Sequence, residues 1–235
     1  MKRSILLFSC LFAVLCATVG AGVVQAHDHA EGSDDDVAVV CTPDGATGST
    51  GASTSASISR DGVEPTGDST EPEDSPEGHD INGDDSNENL DGAEGADHVD
   101  GGSGDDELDG HGGDDHLQGD QGDDDICGDD GDDRISGGRG DDDLDGGAGD
   151  DNVTGNSGND TETGGSGNDV VSGNRGADRL RGGKGHDKIF GGKGNDRINS
   201  DDGVRDRVNC GRGHDTVVAD SKDKVSRNCE DVTRN

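Results

Sequence analysis

From residue 92 to residue 199 one aliphatic residue recurs every nine positions: Val99, Leu108, Leu117, Ile126, Ile135, Leu144, Val153, Val171, Leu180, Ile189 and Ile198. Glu162 takes the one place in the series that lacks an aliphatic. A spacing of nine matches neither the 3.6-residue stripe of a helix nor the sustained alternation of a long strand. Written in rows of nine, residues 92–199 fill twelve rows without a gap, with glycine in column one from Gly92 to Gly191 and in column four from Gly95 to Gly194. Each such glycine costs a helix about 1 kcal/mol relative to alanine, which excludes one. The remaining solution is a turn of about six residues followed by a short strand of about three that turns its aliphatic inward. Two rows then reverse direction twice and close a coil of about 18 residues, with turn i stacked on turn i+2.

The pattern fades at both ends. GDDSNENLD at 83–91 is a worn row, with Ser86 in the glycine column and Glu88 where the other rows have aspartate. Beyond 199, SDDGVRDRVN carries one extra residue, CGRGHDTVV at 210–218 returns to register, and the tail keeps only Val225 and Val232. Such atypical ends suit a solenoid, whose last coil lacks a neighbour on one side. The expected organisation is a leader at 1–26, a disordered acidic Gly/Ser/Thr/Pro linker at 27–76, a degenerate opening repeat at 77–91, the repeat body at 92–199, and C-terminal capping repeats at 200–235.

Composition sharpens the problem. Only 25% of residues are hydrophobic and 1% aromatic, with no Trp or Tyr, so burial of apolar area has little to act on. The formal charge is −36, and between residues 27 and 133 the only Lys or Arg is Arg60. A polyanion repels nucleic acid and anionic lipid, which argues against both as partners and against membrane insertion. It attracts cations, and column six shows where. That column is aspartate in every row: Asp97, Asp106, Asp115, Asp124, Asp133, Asp142, Asp151, Asp160, Asp169, Asp178, Asp187 and Asp196, with Asp215 a thirteenth in the returned row. Stacked turns that offer inward carbonyls and one carboxylate per row make an all-oxygen cage. Ca²⁺ takes six to eight such ligands, whereas Mg²⁺ demands a tight octahedron and holds its waters. Calcium shared between coils would then replace the missing core.

The nonapeptide, seen twice over in GGKGHDKIFGGKGNDRIN at 182–199, resembles the repeats-in-toxin (RTX), or haemolysin-type, calcium-binding repeat over residues 83–218. The resemblance implies a right-handed parallel β-roll with multiple Ca²⁺ ions along both edges and the thirteen aspartates as side-chain ligands. Carbonyls of columns one to five, such as those of Gly182, Lys184, Gly191 and Lys193, would complete the cages. The ending is similar to the tails of small secreted actinobacterial proteins of this type. Two departures carry expectations of their own: Glu162 should weaken its coil, and the row at 83–91 should not hold metal.

MKRSILLFSCLFAVLCATVGAGVVQA has a basic start, an apolar run over 5–17 and small residues after it, the form of a secretory signal peptide. Cleavage is expected before His27, with Val19-Gly20-Ala21 a competing site, which places the mature chain outside the cell. The oxidising compartment lets Cys41, Cys127, Cys210 and Cys229 pair. Cys210 with Cys229 is favoured by closeness in sequence, leaving Cys41 with Cys127. Five histidines (His98, His111, His116, His186 and His214) fall in variable columns and are expected to face solvent. A mature start at His27-Asp28-His29 could wrap Cu²⁺ or Ni²⁺ in a square plane, against the plainer reading of a polar terminus.

Rival chemistries fit less well. Residues 141–146 match the first half of an EF-hand loop, but Asn152 stands at its twelfth position. Paired carboxylates recur in every row, so none is singled out for glycosidase or nuclease work, and a regular solenoid offers no single asymmetric pocket. The sequence therefore reads as a secreted, non-enzymatic calcium-binding protein that folds on binding. The second reading is a cell-surface or extracellular-matrix interaction protein in which calcium is only structural and whose partner the sequence does not identify.

Overall fold

The computed structural model describes residues 78–235; the expected leader, the acidic linker, the His27-Asp28-His29 start and Cys41 lie outside the described residues. Eighteen strands, from Asp80–Asn82 to Asp231–Arg234, form two nine-stranded sheets, and consecutive strands alternate between them. Neighbours within a sheet are parallel: Val99 pairs with Leu117, Leu117 with Ile135 and Ile135 with Val153 on one sheet, and Leu90 with Leu108 and Leu108 with Ile126 on the other. Each pairing joins residues 18 apart, so two rows make one coil. The chain is an all-β parallel β-solenoid, with no helix among the described residues to flank an EF-hand loop.

The strands run longer than the expected three residues. Most have six, such as His98–Ser103 and Asn152–Ser157, taking in columns seven to nine and then columns one to three of the next row. Ladder pairing skips column one and resumes at column two, as in Gly102 with Asp120 and Asn156 with Asn174. Inter-coil hydrogen bonding thus continues through a bend. The bend needs a left-handed residue in column two, where His111, Asp120, Asp129, Asn156 and Asn174 adopt φ of 64–76°. Asparagine and aspartate tolerate that conformation better than most residues.

The interior is one side chain deep per row. The inward aliphatics, from Ile81 to Val217, are each no more than 6% exposed. They form two clusters, one ending at Val153 and the other beginning at Val171. Between them stands Glu162, fully buried, on a strand (Thr161–Ser166) that still pairs on both sides. Glu162 interrupts the apolar stack and leaves the ladder intact, because the backbone pairs whatever side chain points inward.

Near the C-terminus the extra residue at 200–209 is absorbed as a register of 19, with Lys188 opposite Arg207 and Arg197 opposite Thr216. The last coil is shorter: Thr216 faces Asp231. Cys210 and Cys229 form a disulfide across this end, as expected. The pairing of Cys127 with Cys41 falls outside the described residues.

Candidate metal centres at the stacked turns

All thirteen predicted aspartates are buried, 0–3% exposed. Each uses Oδ1 in one way, accepting the backbone N–H of the residue that precedes it by one coil. Asp115 accepts from Asp97, Asp133 from Asp115, and Asp151 from Asp133, at 2.8–2.9 Å. On the opposite edge Asp124 accepts from Asp106, Asp142 from Asp124, and Asp160 from Asp142, each at 3.0 Å. Two continuous ladders result, one along each edge of the solenoid. They run past the predicted set to Asp206 and Asp223 on one edge and to Glu230 on the other.

The other oxygen has no partner. Oδ2 of every predicted aspartate, and of Asp206, is buried without a hydrogen bond. In the twelve rows of the repeat body it points into a cradle under the column-one glycine of its own row. A Cβ added to Gly119 would sit 2.2 Å from Asp124 Oδ2 and 2.7 Å from the carbonyl oxygen of Gly137, one coil on. Gly128 is alike, with Asp133 Oδ2 at 2.3 Å and the Gly146 carbonyl at 2.6 Å. Column one is therefore glycine for space: a methyl group would fill the place where a carboxylate and a carbonyl converge. Column four is glycine for another reason. Gly122 has φ of 140°, and its Cβ would lie 1.5 Å from the carbonyl oxygen of Gly104 in the coil below.

Charge accumulates along both edges. Burial, followed by neighbouring carboxylates, pushes Asp124, Asp133, Asp160, Asp169 and Asp206 up to about 7. Burial likewise lifts Asp115, Asp142, Asp151, Asp178 and Asp196 to about 6, while backbone N–H donors pull the other way. Leaving a buried polar group unsatisfied costs about 1–3 kcal/mol, more if it is charged. Fourteen such oxygens together match or exceed the about 5–15 kcal/mol that separates a typical folded domain from its unfolded chain. Hard oxygen donors held without partners beside carbonyls are what Ca²⁺ needs, so the residues present fit that ion.

Four segments (82–117, 100–135, 128–162 and 163–203) match the model of the RTX calcium-binding nonapeptide repeat. The chain belongs to the RTX calcium-binding repeat family. The matched span takes in the row at 83–91, where this RTX protein differs from its own later rows. Glu88 is buried there, and its Oε2 accepts the N–H of Asp84 at 2.8 Å while lying under Gly83 beside the Gly101 carbonyl. No curated protein matches the chain.

Sequence reasoning missed two parts of this arrangement. Asp206 belongs to the ladder, and the inserted residue hid it; the signal was its place two residues before the inward Val208. Column five also has a task. Asp105 Oδ1 accepts the N–H of Asp123, Asp123 that of Asp141, and Asp141 that of Asn159, forming an exposed ladder beside the buried one. Nine of its twelve residues in the repeat body are Asp or Asn, a bias visible in the sequence. Of the histidines, His116, His186 and His214 are exposed as expected. His98 and His111 are partly covered, His98 stacked on His116 and His111 held by Asp91 at 2.5 Å.

Proposed function

We propose that this is a secreted, non-enzymatic calcium-binding protein whose solenoid forms when Ca²⁺ enters the cages between turns i and i+2. The ligands are Asp97, Asp106, Asp115, Asp124, Asp133, Asp142, Asp151, Asp160, Asp169, Asp178, Asp187, Asp196 and Asp215, to which the ladder adds Asp206. Each aspartate is fixed by the N–H bond to Oδ1 and presents Oδ2 to the ion, and turn carbonyls such as that of Gly137 supply further oxygens. Bound calcium neutralises the carboxylates and joins neighbouring coils, so binding energy is folding energy. Secretion rests on the leader-like start and on the pairing of Cys210 with Cys229, which an oxidising compartment permits.

The observation that carries the reading is the set of buried Oδ2 atoms with no partner. Circular dichroism during a calcium titration tests it. The metal-stripped chain should lack β signal at neutral pH and gain it cooperatively as Ca²⁺ is added. A spectrum already rich in β structure under excess chelator, and unchanged by millimolar Ca²⁺, would refute the proposal. N-terminal sequencing of protein recovered from culture medium checks the leader, with His27 expected first.

A further inference from the structure

Glu162 is the described residue least explained by a row of calcium cages. It occupies the inward column between Leu144 and Leu180, where every other row of the repeat body has an aliphatic. It is fully buried, and neither Oε1 nor Oε2 has a hydrogen-bond partner. A buried carboxylate without compensation is among the most costly groups a fold can hold. The position of its oxygen indicates what compensates it. Oε1 lies 2.6 Å from the point where a Cβ on Gly155 would sit, and Asp160 Oδ2 lies 2.3 Å from that same point. In a neighbouring row of the same edge, the corresponding place under Gly173 meets only atoms of Asp178 at its closest. Glu162 therefore reaches from the core into the cradle beneath Gly155.

We propose that Glu162 is a core-side ligand of the cation held at the Asp160 turn, giving that cage two carboxylates from a single row. The proposal rests on the calcium reading above and adds a second carboxylate ligand to one of its cages. Two anionic ligands from one row make this cage the most strongly binding of its edge, since charge count among the ligands is a main determinant of calcium affinity. The ion there also screens the carboxylate that separates the two apolar clusters, so the coil joining them depends on that ion more than its neighbours do.

The test uses the full chain with Glu162 intact, as Glu162→Gln, and as Glu162→Leu. Glutamine keeps the shape and removes the charge. Leucine restores an unbroken aliphatic stack, so failure to fold is not its expected consequence. Calcium retained at a series of buffered free concentrations is measured by equilibrium dialysis with elemental analysis. Direct excitation of bound Eu³⁺ resolves individual sites and needs no aromatic donor, which suits a chain without Trp or Tyr. The unaltered protein should retain at least one ion at free calcium about 10–100-fold below that needed to fill the rest, the scale on which metal sites respond to loss of a supporting group. Both variants should lose that step, together with one Eu³⁺ excitation line. If all three isotherms and Eu³⁺ spectra coincide, and Glu162→Leu is merely more stable, Glu162 is a neutral core residue and the inference is overturned. If the unaltered protein retains no calcium at all, the parent reading fails as well, so the two failures are distinguishable.

Discussion

Replacing Gly122 with alanine probes the stacking of turns directly, and Gly203→Ala supplies the control. Both glycines have positive φ, 140° and 85°. They differ in surroundings: nothing lies within 4 Å of a Cβ on Gly203, whereas one on Gly122 would overlap the Gly104 carbonyl oxygen at 1.5 Å. Gly203→Ala should therefore report backbone strain alone, about 1–2 kcal/mol. Gly122→Ala must also move two turns apart by more than an ångström, which breaks the bonds from Gly104 N–H to the Gln121 carbonyl and from Asp123 N–H to Asp105 Oδ1. Two hydrogen bonds at about 1 kcal/mol each, added to the strain, bring the expected loss to about 3–4 kcal/mol. Denaturant unfolding in saturating calcium measures both variants. Equal losses in the two would show that the turns are not in the contact described, and the argument for column four would fail.

Two further outcomes follow from the charge and the cap. In the metal-free chain ten ladder aspartates, Asp115, Asp124 and Asp133 among them, titrate at about 6–7 when folded, against 3.8 for the ordinary side chain. A raised carboxylate opposes folding fully above its folded value, and the opposition fades as pH falls through that value towards the unfolded one. Without calcium, β signal should therefore rise between pH 8 and pH 4.5 or so, while the calcium concentration needed to fill the sites should increase over the same interval as protons compete for the ligands. Loss of β signal on acidifying the stripped protein would contradict the sign of the effect. Reduction of the Cys210–Cys229 disulfide, which closes a span of 19 residues, should remove about 3 kcal/mol. Hydrogen exchange should show that loss concentrated in 207–235, since each coil contacts chiefly its neighbours; uniform loss over the solenoid would argue against a local cap.

The nine-residue period by itself determined the repeat, the coil of 18, the inward aliphatics and the column of aspartates, because each depends only on which residue types recur and at what interval. Strand length was misjudged, since the Gly, Asn and Asp of column two mark a bend, whereas the parallel ladder that continues through it forms between backbones 18 residues apart. Asp206 was hidden by an inserted residue whose absorption into a register of 19 is settled by neighbouring coils. The separate reasons for glycine in columns one and four, a cradle for oxygens in one and a close carbonyl in the other, exist only between coils. The same holds for Glu162: in sequence it is a missing aliphatic, and only packing turns its carboxylate towards Asp160. Period is a property of the chain, but contact across one coil is a property of the stack, and that contact is what decides which oxygens are left to hold a cation.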